Sequence, residues 1–358
     1  MAVYGGKQGH LGYLLTATII LCYCITPTAA TARSYTQYEH FFPAWEHLIQ
    51  DQLRDNCTKQ LNDYRNRSNT DQGAGYNVIG CVLETMPEYR KAELASAAVI
   101  LGFAPTVLQL LSASYLDTAV LAYRRPGLAF LLSMSSSGVR PLTATDYDDF
   151  ITTAGTDPFH TNFGKSQSVW APTIVSILEY TIASGAVANN AYLAYQLSVW
   201  AVCTFSPQQD YLPAMWTAAA LVIHLVGYLA ARLRISVEGR GGSGENNNRG
   251  TLWHRLWAEL TPTPWQTRFE VKKSDRHNGW FLVLVSALFI GDALQAFFGT
   301  LILSSLVFIS VRDSAIIVIR LMASALSARG ILIYELAGLN TEEGRGISEK
   351  PHYSAVET

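Results

Sequence analysis

Three ionisable side chains, Glu179, His224 and Asp292, sit about ten to thirteen residues inside runs that are otherwise apolar. A charge at the centre of a bilayer costs at least ~2.5–3.5 kcal/mol on insertion scales, so such groups face other helices and find partners, or lose their charge. Two kinds of chemistry follow. One is a proton or cation path, or a polar ligand pocket, built from the three groups. The other is hydrogen-bonded glue between helices, worth roughly 0.6–2 kcal/mol per contact. Gln109, Gln196 and Gln295 lie at similar depths, and glue accounts for all six residues together.

Other patterns carry less. Gly239-Arg-Gly-Gly-Ser-Gly244 matches GxGxxG, but it follows an apolar helix and runs into Glu245-Asn246-Asn247-Asn248. A phosphate cradle needs a strand before the loop and a helix after it, so this reads as a flexible linker. Asp146, Asp148 and Asp149 start like a calcium loop but lack its glycine and closing glutamate. His40 and His47 are two helical turns apart with Pro43 between them, which is not a zinc spacing. No GxSxG, HExxH or Walker-type run occurs in a supporting context, so the sequence names no catalytic residue, metal or cofactor and reads as non-enzymatic.

The elements that must position these groups are set by hydropathy. The 358 residues are 49% hydrophobic and 15% charged, with 26 basic and 28 acidic side chains. Soluble proteins carry roughly 25% charge. The near-neutral balance gives no field for nucleic acid, and the lipid bilayer is the expected partner. Residues 1–32 have the parts of a signal peptide: Lys7, an apolar run of 15 residues from Leu11 to Ile25, and Ala30-Thr31-Ala32 before Arg33. Residues 33–93 read as a luminal or extracellular segment. They carry two glycosylation sequons, at Asn56 and Asn66, and two cysteines, Cys57 and Cys81, that an oxidising compartment lets pair. Trp45, Leu48, Ile49, Leu53, Cys57, Leu61 and Tyr64 recur at helical spacing behind Pro43. A short amphipathic helix and a loop are expected there.

Apolar runs then predict about seven spans. Residues 94–231 hold five: 94–116, the weak 127–139, a 37-residue run at 169–205 split at Asn189-Asn190, and 211–231. Residues 279–338 hold the last two, the final one carrying Arg320, Arg329 and Glu335. Between these blocks lies a basic loop, 232–278, with nine Lys or Arg. It contains the linker, a tryptophan-rich helix over 252–260 suited to an interface, and a short strand near 266–273. With 33–93 outside, seven crossings place Arg124-Arg125 and the basic loop inside and the acidic 140–168 loop outside, as the positive-inside rule asks. Trp170, Trp200 and Trp216 then mark the outer interface and Trp280 the inner one. Residues 339–358 read as a disordered cytoplasmic tail.

The runs Leu101-Gly-Phe-Ala-Pro-Thr-Val-Leu-Gln-Leu-Leu, Arg125-Pro-Gly-Leu-Ala-Phe-Leu-Leu-Ser, Phe298-Gly-Thr-Leu-Ile-Leu-Ser-Ser-Leu-Val-Phe-Ile-Ser and Tyr334-Glu-Leu-Ala-Gly resemble uncharacterised multi-pass membrane proteins of filamentous ascomycete fungi. That resemblance implies a helical membrane fold and fungal origin, with no activity to carry over. The sequence therefore reads as an all-α multi-pass bundle in the secretory pathway or plasma membrane. Its leading role is a non-enzymatic sensor, scaffold or interaction protein, with a cytoplasmic partner at 232–278. The alternative is a transporter or channel using Glu179, His224 and Asp292.

Overall fold

The computed structural model describes residues 37–66, 73–142, 170–239, 259–263, 269–273, 279–336 and 340–341. The signal-like segment, the acidic aspartates of 146–157, most of the Gly-rich linker and tryptophan-rich helix, and nearly all of the tail lie outside them. Ten helices form among the described residues. Three belong to the segment before the bundle: α1 (Glu46–Asp55), α2 (Thr58–Arg65) and α3 (Ala74–Thr85). Here the expected single helix and loop are three helices, because the helical stripe breaks at Cys57 and resumes. Trp45, Ile49, Leu53, Cys57 and Tyr64 from that stripe are all buried, against Val78 and Val82 of α3. Cys57 and Cys81 form a disulfide that ties α2 to α3.

Among the described residues five helices are long and apolar enough to cross a membrane: α4 (Glu88–Leu111), α7 (Ala171–Val199), α8 (Leu212–Arg234), α9 (Gly279–Ser304) and α10 (Val311–Leu336). The chain is a membrane protein by this measure. Burial is inverted relative to a soluble fold. Small and polar residues such as Ser176, Ala183 and Asn190 turn inward on α7, whereas Ile174, Ile177 and Leu178 are more than half exposed. A water-soluble surface does not sustain apolar faces of that extent.

Among the described residues two of the seven expected spans do not form as separate long helices, for two reasons. Residues 171–199 form one unbroken helix. The two asparagines taken as a turn are satisfied by neighbouring helices instead: Asn189 donates to Ser324 Oγ at 2.8 Å, and Asn190 to the Met134 carbonyl at 3.1 Å. Second, the weak segment is a nine-residue helix, α6 (Pro126–Met134), about 13 Å long and under half a hydrocarbon core.

That helix belongs to an interrupted crossing. Helix α4 descends α9 through contacts of Gly102 with Ser304, Pro105 with Gly299, and Gln109 with the Asp292 carbonyl. It stops at Leu111, near the level of the middle of α9. The chain restarts at α5 (Tyr115–Ala122), where Ser114 and Asp117 form a reciprocal capping box. It reaches the far end of the bundle at Arg124-Arg125, then turns back as α6. Ser137 returns to the level of Gln295, which donates to its carbonyl at 2.9 Å. Arg140 N–H donates to the Ala113 carbonyl, closing the hairpin beside the break.

The two ends of the bundle differ. The disulfide end carries α1–α3, fixed by Phe41 on Phe308, Phe42 on Trp200, and a two-residue antiparallel pair of β1 (Val202–Cys203) with β4 (Leu306–Val307). The arginine end carries Trp170, Arg125 and Glu335. It continues into a small sheet in which β3 (Phe269–Lys273) pairs with β2 (Ile235–Gly239) and β5 (Asn340–Thr341). The expected strand near 266–273 is therefore present. The unbroken α7 places Trp170 at the arginine end, opposite α1–α3. Trp216, the fifth residue of α8, is buried and donates to the Gln295 main-chain carbonyl at 3.1 Å, so it packs inside the bundle instead of joining a surface belt.

Candidate functional sites inside the bundle

The three residues singled out by depth have three different sets of partners. Glu179 belongs to an ionic cluster at the arginine end, built around Arg125. That arginine precedes Pro126 at the α5–α6 turn and is 0% exposed. Its Nη1 donates to Glu179 at 2.5 Å and to Glu335 at 2.8 Å, its Nη2 to Ser176 Oγ at 2.7 Å, and its Nε to the Glu259 carbonyl at 2.8 Å. The Tyr180 ring lies 5.4 Å from the guanidinium carbon. A planar fork with five donors suits this arrangement; an ammonium does not.

Segment 259–263 completes the cluster. Thr263 donates through its backbone N–H and its hydroxyl to Glu335, at 3.2 and 2.6 Å. Glu259 accepts from the Gly127 and Leu128 N–H groups at 2.9 and 3.2 Å and from the Tyr180 hydroxyl at 2.6 Å. A carboxylate at the N-terminus of α6 also meets the positive end of the helix dipole. Part of the basic loop is thus engaged with its own bundle. Sequence reasoning placed Arg125 at a boundary and Glu335 in a costly span; neither pairing nor the role of Glu259 was visible, because the partners lie 54, 210 and 134 residues from Arg125.

His224 is a helix-to-helix contact. Its Nδ1 is 2.9 Å from Thr118 Oγ1 on α5, and Thr118 donates to the Tyr115 carbonyl at 3.0 Å. The glutamines behave alike: Gln109 donates to the Asp292 carbonyl and Gln196 accepts from Arg320.

Asp292 is different. It is 1% exposed, twelve residues from Ser304 and thirteen from Gly279, at the centre of α9. Neither carboxylate oxygen has a hydrogen-bond partner, and one turn along the same helix the Gln295 side-chain oxygen, Oε1, also lacks one. Three buried acceptors without donors carry the full cost of lost hydration. Around this level the backbone is interrupted twice, at Ser112–Ser114 and at Ser135–Gly138. Local bonds satisfy the serines: Ser112 with Ser136 at 2.5 Å, Ser135 to the Leu132 carbonyl, and Ser137 to Asn190. Irregular backbone at membrane depth persists where protein or a polar cavity encloses it. The repeated serines of 133–137 are a signal that could have marked this break; hydropathy averaging hides it.

Among the described residues no group of three or more His, Cys, Asp or Glu is arranged to hold a metal ion. The chain matches no protein-family model, no characterised protein and no solved structure.

Proposed function

We propose that this chain is a membrane transport protein whose working group is Asp292, carrying a proton or a small cation at the level of the interrupted helices. The carrying observation is the Asp292 carboxylate, buried at mid-helix with both oxygens unpaired, one turn from the unpaired Gln295 Oε1. Broken helices meeting near the centre of a bundle are where transporters build ion sites, and an unpaired carboxylate is the group that gains most from a proton or cation. The reading narrows the path through Glu179, His224 and Asp292 to its third member, since the first two have structural partners. Its test is flux in proteoliposomes under an imposed potential, with a pH-sensitive dye and with sodium or potassium gradients. Wild type should move one of these ions and Asp292→Asn should not, at equal abundance. Tight wild-type vesicles in every gradient would refute it.

A sensor or interaction protein is the second reading. It is favoured by a polar cleft of about 520 Å³ between α2 and α3, lined by Lys59, Gln60, Asp63, Asn77 and Glu84 beside the half-exposed Tyr76. In either case we infer that α1–α3 face the lumen or exterior after signal cleavage, glycosylated at Asn56 and Asn66, and that residues 232–278 face the cytoplasm. The basic loop then lies inside, as the positive-inside rule asks. Endoglycosidase should sharpen the wild-type band, and Asn56→Gln with Asn66→Gln should abolish the shift. The fungal family likeness remains part of this proposal.

A further inference from the structure

Arg320 lies on α10, nine residues from its start and three to four from its middle, so its Cα is only about 5 Å from the helix midpoint. The guanidinium donates to two neutral groups on α7, Asn189 Oδ1 at 2.9 Å and Gln196 Oε1 at 3.1 Å, with the Tyr192 ring at 5.7 Å. Among the described residues no carboxylate comes within salt-bridge distance of it. The contrast with Arg125, which meets two carboxylates, is one of charge balance: Arg125 is neutralised inside the protein and Arg320 is not. An arginine in a low-dielectric setting holds its charge, so it needs an anion from elsewhere.

A groove of about 260 Å³ starts at Arg320 and runs along the α7–α10 seam to Ser327, over Gly185, Ala186 and Ala323. It faces away from the bundle core, and nothing lies within 4 Å of where a Gly185 Cβ would sit. The direction decides the occupant. Side chains lean toward their helix N-terminus, so Arg320 reaches toward the disulfide end, where Tyr192, Tyr195 and Trp200 form an aromatic cluster with the two tyrosines about half exposed. Such rings sit at headgroup level. The groove extends the opposite way, toward the bilayer centre. A cation below the headgroups with an open groove of small residues leading inward past Gly185, Ala186 and Ala323 matches one ligand: a lipid with an anionic head and an acyl chain.

We propose that Arg320 and the α7–α10 groove form a binding site for an anionic phospholipid of the leaflet at the disulfide end. The phosphate meets the guanidinium, and one acyl chain lies over Gly185 and Ala323. The site is independent of Asp292 and of any transport reading. The experiment is lipid binding to the purified full chain in a neutral detergent, read by native mass spectrometry and by thermal shift, with phosphatidylglycerol against phosphatidylcholine as probes. Wild type should retain phosphatidylglycerol at least tenfold better than phosphatidylcholine and melt higher in its presence. Arg320→Gln should lose that preference, and Arg320→Lys should keep part of it. Gly185→Leu puts bulk into the groove at a position where a Cβ has open space and leaves the charge in place; it should weaken retention of both lipids. Equal retention of the two lipids by wild type would overturn the proposal, as would Arg320→Gln and Gly185→Leu variants that bind like wild type. Covalent capture of a protein instead of lipid by a photocrosslinker at position 185 in native membranes would also overturn it, because the groove would then seat a partner helix carrying an acid.

Discussion

Removing the Arg125 side chain should do more damage than any other single change in the bundle. The guanidinium is fully buried and makes four hydrogen bonds, two of them to carboxylates. Arg125→Ala leaves Glu179 and Glu335 facing each other without a cation, and breaking one side of a buried ion pair costs about 3–5 kcal/mol. At roughly 2–4 °C per kcal/mol, the scale for domains of 150–250 residues, the melting midpoint should fall by roughly 6–20 °C. Arg125→Lys should fall in between, since an ammonium keeps the charge but cannot reach Ser176, the Glu259 carbonyl and both acids together. The decisive variant is Arg125→Met with Glu179→Gln and Glu335→Gln. It removes the buried arginine's charge together with those of its two carboxylate partners and should recover most of the loss, because well-packed neutral replacements of buried ion pairs are often neutral or better. The assay is fluorescence-detected size exclusion after a heating series in detergent. The reasoning is refuted if Arg125→Ala melts within 2 °C of Arg54→Ala, a fully exposed control, or if the triple variant is worse than Arg125→Ala.

Further outcomes are expected from the same geometry. Asp292→Asn should leave the melting midpoint unchanged or raise it, because it removes a buried charge with no partner, whereas Glu179→Gln should lower it; a fall for both would return Asp292 to the structural class. Cys57→Ser with Cys81→Ser opens a loop with a separation of 24 residues, worth about 3.5 kcal/mol by loop entropy, and should make α1–α3 protease-sensitive while the bundle stays intact, as limited proteolysis in detergent would show. Gly299→Ala places a Cβ against the Trp216 ring and Pro105, and should cost about 1–3 kcal/mol as overpacking in the same melting assay. Glu259→Gln weakens the carboxylate at the start of α6 and should cost about 0.5–2 kcal/mol, with hydrogen exchange rising first at residues 126–130.

What was legible in the sequence was whatever depends on local hydropathy. The stripe from Trp45 to Tyr64 is buried as its spacing required, the disulfide joins the expected cysteines, and the strand near 270 forms. The spans went astray where side chains from distant helices decide. Asn189 and Asn190 read as a turn because amides inside an apolar run need partners, and those partners, Ser324 and Met134, are not sequence neighbours. The weak second span is the returning half of a broken crossing, which hydropathy cannot tell from a short helix. The two differences cancel in parity. One span lost at 127–139 and one at the asparagines leave the described parts of residues 232–278 at the end opposite α1–α3, while Trp170 changes ends. Depth singled out Glu179, His224 and Asp292, but only long-range geometry separates Glu179 and His224, which are paired, from Asp292, which is not.

The reach of Arg125 to Glu335 across 210 residues also constrains the order of biogenesis. Neither α5 nor α6 is long enough to be recognised as a span when it leaves the ribosome, and an arginine at their turn has no neutralising acid on the last helix until α10 has been made. Glu179, on α7, is available first and Glu335 last, so the partner set of Arg125 is complete only once α10 has been made. A chain truncated before Val311 should therefore keep the Glu179 pair yet leave residues 115–134 more open to protease than in the full chain.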